Sequence, residues 1–221
     1  MSTSSKTEIK SLILMPALIT LAITLLRLTG ELLNWAPSLF NKAAGGGGAL
    51  IGITWLVPVF GFYFAWQLMK AGEYPASAGR ALGHAALTFA AFIVLFGASI
   101  QFVTSQVALF YLFGILGLVA TLYLARRTWP ALFQTMLAYG LAARIPVVIV
   151  MFIAIMNNWN THYDVAPPNY VETTWLMKWF NIGLFPQLTF WIGFTVATGG
   201  IFGGLAALVM QRRAASAKAV S

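Results

Sequence analysis

Cysteine is missing from all 221 positions, and only five residues are acidic. The first absence excludes disulfides, thiolate catalysis, iron–sulfur clusters and thiolate zinc sites together, and leaves the redox compartment open. The second leaves few carboxylates for acid–base pairs or hard-metal sites. Charged residues make up 8% of the chain against about 25% in an ordinary soluble domain. Long polar stretches that could build a soluble domain are also lacking. With 60% hydrophobic residues gathered into runs near the roughly 17–25 residues that cross a hydrocarbon core, the solvent is a membrane and one polytopic domain, 1–221, is the whole chain.

The positive excess of +8 raises the question of an acidic partner. The 13 Lys and Arg stand singly or in pairs at the ends of apolar runs, with no basic stripe interleaved with aromatics, so no nucleic-acid partner is expected and the excess reads as topology. The first run follows Lys6, Glu8 and Lys10 but is long, carries Arg27 and Glu31, and lacks a small-residue cleavage site. It is expected to be an uncleaved helix rather than a secretory signal.

Runs and breakers together predict an all-α membrane protein with six transmembrane helices, at about 10–33, 49–69, 81–103, 107–124, 131–156 and 186–210. The third and fourth are joined only by Thr104, Ser105 and Gln106, which implies an antiparallel hairpin. Trp175 to Phe185 is apolar and aromatic. Fused to the last helix it would make a rod too long to cross straight, so 175–185 is expected to lie in the interface before Pro186. With the N-terminus cytoplasmic, the inside receives Lys6, Lys10, Lys70, Arg80, Arg126, Arg127, Arg212, Arg213 and Lys218, and the outside only Lys42 and Lys178. That asymmetry places both termini in the cytoplasm of a bacterial-type inner membrane. The outer segments are then Asn34 to Gly48 and Asn157 to Thr174. The glycines Gly45 to Gly48 have no strand before them and no Lys-Ser or Lys-Thr after them, so a flexible connector is expected rather than a phosphate loop. No internal repeat is assigned.

A line of polar residues runs up the first helix: Thr20, Thr24, Arg27, Glu31 and Asn34, spaced by three or four. That spacing puts all five on one face, pointing at protein rather than lipid. Arg27 and Glu31 can pair within the helix, or line an outward-facing cavity with the threonines. Arg144 lies near mid-membrane, where it needs a partner. Glu31 is the one carboxylate within plausible reach, and Arg27 competes for it. Two arginines around one carboxylate make a net positive site suited to an anion, a carboxylate or a lipid phosphate. Gln187, Trp191, Thr195 and Thr198 form another face that completes the seam. The binding candidates are therefore Arg27, Glu31, Arg144, Asn34, Thr24 and Gln187.

Pro146 and Pro58 each free backbone carbonyls inside their expected helices. His84 and His162 fall at opposite ends, which excludes a bis-histidine haem or shared metal site, and His162 with Asp164 reads as part of a solvated outer loop. No catalytic residue, metal or cofactor is expected. Gly199 with Gly203 and Gly200 with Gly204 form two small-xxx-small patterns for close helix packing, against this chain or another subunit. The function expected is an accessory or assembly subunit of a larger membrane complex or homo-oligomer in the lipid bilayer. The alternatives are a transport or permeation unit for a small anionic solute, and a lipid-active enzyme holding a headgroup on Arg27 or Arg144 with His162 and Asp164 as its acid and base.

Overall fold

Proline decides where the second apolar segment becomes helical. A proline ring inside a helix clashes with the carbonyl four residues back and offers no N–H, but in the first turn neither matters. In the computed structural model, which describes residues 8–102, 106–168, 170–171 and 173–220, this helix accordingly starts at Leu56, with Pro58 in its first turn. The expected start near Ala49, and the expected mid-helix role of Pro58, are corrected by that geometry. Lys6, Val103, Thr104 and Ser105 lie outside the described residues, as do the side chains of 214, 215 and 217–220.

The described elements are all helical. In chain order they are α1 (Ile9–Leu32), a short 3-10 turn (Ala44–Gly46), α2 (Leu56–Lys70), α3 (Ala78–Gln101), α4 (Val107–Thr128), α5 (Pro130–Asn157), α6 (Trp175–Lys178), a π-helical stretch (Trp179–Leu184), α7 (Phe185–Leu188) and α8 (Phe190–Val220). Ser77 caps α3 by accepting from the Arg80 N–H at 3.5 Å, and Pro130 starts α5. The last helix, expected to end near 210, continues as α8 to Val220. Five segments are long and apolar enough to cross a membrane: α1, α3, α4, α5 and Trp175–Arg213, the last of 39 residues. At 1.5 Å per residue α2, with 15 residues, reaches only about 22 Å.

The distribution of side chains on α1 is the reverse of a water-soluble helix. Its buried positions include Thr20, Thr24, Arg27 and Glu31, while Leu14, Met15, Leu18, Leu25 and Leu26 are exposed. Polar groups face the bundle and aliphatic ones face out, as a lipid solvent demands.

Glycine sets the centre of the bundle. Lipid offers helices no hydrophobic reason to associate, so close backbone approach and dispersion must hold them. A methyl at Gly61 of α2 would lie 2.7 Å from the Gly199 Cα of α8, so the two helices meet backbone to backbone. Gly203 faces Leu132 of α5 and Ala65 of α2, whereas Gly200 faces Ala85 and Gly204 faces Leu82, both on α3. The two small-residue patterns are thus occupied by partners within the chain. Phe60, Phe64 and Tyr139 pack beside them with ring centroids 5.3–6.1 Å apart, and Phe92, Phe96, Phe190 and Phe194 tie α3 to α8. The α3–α4 hairpin is closed by Ser99 Oγ donating to the Phe110 carbonyl at 2.7 Å.

Candidate functional site

The i, i+4 spacing on α1 brings Arg27 Nε within 2.8 Å of Glu31 Oε1, as helical geometry requires. Both groups are buried, Arg27 with 7% exposure and Glu31 with none, and their remaining valences are met by the loops after α1 and α5. Arg27 Nη2 donates to the carbonyls of Asn41 at 3.1 Å and Gly46 at 3.0 Å. Gly46 has φ +73°, and a Cβ there would sit 2.8 Å from the His162 ring and 3.1 Å from the Arg27 guanidinium. The glycine run expected as a flexible connector is therefore a backbone cradle for the arginine.

On its other side Glu31 receives two donors from the loop between α5 and α6: the His162 N–H reaches Oε2 at 2.8 Å, and His162 Nδ1 lies 2.5 Å from Oε1. Every other neighbour of the carboxylate is a donor, which fixes the proton on Nδ1 and leaves Nε2 as an acceptor. Burial pushes the His162 pKa below its usual value, against the pull of the Glu31 carboxylate. The loop expected to be solvated is instead packed down. Asp164 is buried and accepts from the Asn160 N–H at 2.8 Å, the Thr161 N–H at 2.7 Å and the Thr161 hydroxyl at 2.7 Å, which makes it a turn-forming residue. Tyr163 donates to the Thr24 carbonyl at 3.2 Å, tying the loop to α1.

Arg144, on α5, is held differently. It is 4% exposed, and among the described residues it has no acidic partner. Its Nη1 is 3.4 Å from Gln187 Oε1, a long contact, and its guanidinium stacks 4.3 Å from the centroid of the Trp191 ring. Nε has no acceptor. Of five donors on a buried guanidinium, one has a distant neutral acceptor and the charge rests on an aromatic face. Glu31, the carboxylate expected to be shared between the arginines, is held by Arg27 and His162.

Both arginines line one cavity of about 460 Å³. Its walls come from α1 (Ile23, Thr24), the segment before α2 (Gly52, Thr54), the facing ends of α3 and α4 (Ser99, Phe110, Tyr111), α5 (Val147, Met151) and Asn181 to Trp191. Tyr111 donates to Asn181 Oδ1 across one side. Arg27 is paired with Glu31, whereas Arg144 has no acidic partner among the described residues, so the uncompensated positive charge on the cavity wall is that of Arg144.

Of the residues singled out in the sequence, Thr24, Arg27, Arg144 and Gln187 line the cavity, together with Trp191. Glu31 stands behind Arg27 rather than on the wall. Asn34 is apart: it is exposed, has φ 55° just beyond α1, and accepts from Lys42 Nζ at 2.7 Å. The helix ends before Asn34, so the periodicity that aligned it with Arg27 no longer applies there. Gly46, Tyr163 and Asn181 carry no site signal in the sequence, and His162 enters there only as acid or base of the lipid-enzyme alternative; each comes to the site from a loop or irregular helix that periodicity does not register. Among the described residues no cluster of three metal-ligating side chains occurs. Comparisons with protein-family models, curated proteins and solved structures gave no match to this chain.

Proposed function

We propose that this chain is a six-span protein of a cell membrane, with both termini cytoplasmic, that takes up a small anionic solute into its cavity and serves as a transport or permeation unit. The observation that carries the reading is Arg144: a buried guanidinium on the wall of a 460 Å³ cavity without a carboxylate among the described residues. An anion supplies the charge and the acceptors this group lacks. The six-span topology rests on the nine-to-two distribution of Lys and Arg and on counting α2 as a crossing despite its length. The cavity is lined by the C-terminal ends of α1, α3 and α5 and the N-terminal end of α4, which this topology assigns to the outer face.

The accessory-subunit reading keeps the small extramembrane mass in its favour, but its glycine stripe is already filled from within. The lipid-enzyme reading loses its acid–base pair, since Asp164 is engaged in its own turn and His162 in Glu31.

The test is anion binding and flux by the purified protein in nonionic detergent and then in proteoliposomes. Acetate, inorganic phosphate and dodecanoate are titrated while the thermal unfolding midpoint is followed. At least one should raise the midpoint, and Arg144→Gln should remove the shift. Gln187→Glu supplies a folding control, because a carboxylate beside Arg144 neutralises it in place: that variant should fold at least as stably as the parent and bind no anion. An identical response in parent and both variants, or none to any anion, overturns the reading.

A further inference from the structure

The cavity is not a uniformly polar basin. Its unpaired guanidinium is Arg144, halfway along α5, whereas much of the rest of the wall is aliphatic or aromatic, including Ile23, Phe96, Phe110, Val147 and Phe190. A site for a small hydrated anion has no use for such a wall, because the ion would give up its water without replacement hydrogen bonds. The mouth is equally informative. Ile100, the penultimate residue of α3, and Val107, the first of α4, both line the cavity and yet are 55% and 49% exposed on the outside of the bundle. They stand at the tip of the α3–α4 hairpin, where a membrane helix meets the headgroup layer. α1, which forms the opposite wall, packs on α5 and α2, so an apolar opening lies between α1 and the hairpin, beside a loop edge where Gly45, Thr54 and Pro167 also line the cavity and are exposed.

Resting on the anion-binding reading above, we propose that the ligand is a single-chain amphiphile with one anionic head, a carboxylate or phosphate ester, which enters from the bilayer surface past Ile100 and Val107. The head sits on the unpartnered donors of Arg144, with Gln187 beside it; the chain lies along the phenylalanines toward the mouth. The volume is that of a pocket for a drug-sized molecule and admits one chain rather than a two-chain lipid. One unpaired guanidinium suits a monoanion, so the phosphate ester meant is a phosphodiester.

The experiment compares probes of matched charge and matched chain on the protein in nonionic detergent below each probe's micellar concentration. Dodecanoate should raise the unfolding midpoint and bind about tenfold or more tightly than acetate or inorganic phosphate, while dodecyltrimethylammonium, with the same chain and opposite charge, should bind about tenfold or more weakly. Lysophosphatidylglycerol in place of dodecanoate distinguishes a lipid-derived source from a free fatty acid, and phosphatidylglycerol should not compete. Val107→Ser, which removes apolar surface at the mouth without adding a charge, should lower dodecanoate affinity. If acetate or phosphate binds as tightly as dodecanoate and Arg144→Gln abolishes it, the chain requirement is wrong and the anion site stands. If the ammonium amphiphile binds as well as dodecanoate, the head requirement is wrong. If no anion responds to Arg144→Gln, the underlying anion site falls as well.

Discussion

His162 Nδ1 lies 2.5 Å from Glu31 Oε1, although 131 positions separate the two residues in the chain. The contact joins the end of α1 to the loop between α5 and α6 and completes the shell of donors around a fully buried carboxylate. Removing one partner of such a buried set is costly because it leaves the others charged and unpaired.

Glu31→Gln should therefore destabilise the protein by about 3 kcal/mol, since the buried Arg27 loses its counter-charge. Thermal unfolding in detergent would read this as a clear fall in midpoint. A variant as stable as the parent would mean that Arg27 reaches water by another route.

The same contact predicts a pH dependence. The His162 pKa is depressed in the folded state, so the unfolded chain binds the proton more readily and unfolding is favoured as pH falls. The stabilising contribution is complete above the unfolded value near 6.5 and is lost as pH drops through the lower folded value. His162→Asn should flatten the unfolding midpoint across that window; an unchanged profile would assign the dependence to another group.

Asp164→Asn removes the negative acceptor of three hydrogen bonds that shape the loop between α5 and α6. A loss of about 1–3 kcal/mol is expected, with faster hydrogen exchange at the Asn160 and Thr161 amides. Cavity lining by Val165 and Pro167 depends on that turn, so anion affinity should fall in parallel.

Two glycine substitutions separate close packing from simple contact. Gly61→Ala forces a methyl to 2.7 Å from backbone that cannot give way, and should cost about 1–3 kcal/mol. At Gly200 the methyl would meet the Ala85 side chain at 3.6 Å, an ordinary contact, so Gly200→Ala should be neutral or stabilising by up to about 1 kcal/mol through helix propensity. Equal effects at the two positions would contradict the Gly61–Gly199 crossing.

What periodicity can express was legible in the sequence. Thr20, Thr24, Arg27 and Glu31 repeat at helical spacing and are buried on one face of α1, and Arg144 and Gln187, read as inward-facing, meet across 43 positions. Chain-terminating chemistry was less legible: Asn34 continues the spacing but not the helix, and the residues before Pro58 are apolar without being helical. The glycine run and the His162 loop were read by composition as flexible and solvated. Their conformation is imposed from outside, by an arginine that requires carbonyls and a carboxylate that requires donors, and such demands come from distant residues. The cavity belongs to no single segment, so no local pattern announces it.

The late start of α2 has a further bearing on the cavity. Gly52, Ile53 and Thr54, which would extend that helix at its N-terminus, instead border the cavity. Within a bilayer, peptide groups outside regular structure are tolerated only beside protein or beside water. Hollowness and truncation are thus one property: a helix continued through these residues would satisfy its own amides and fill the space they border.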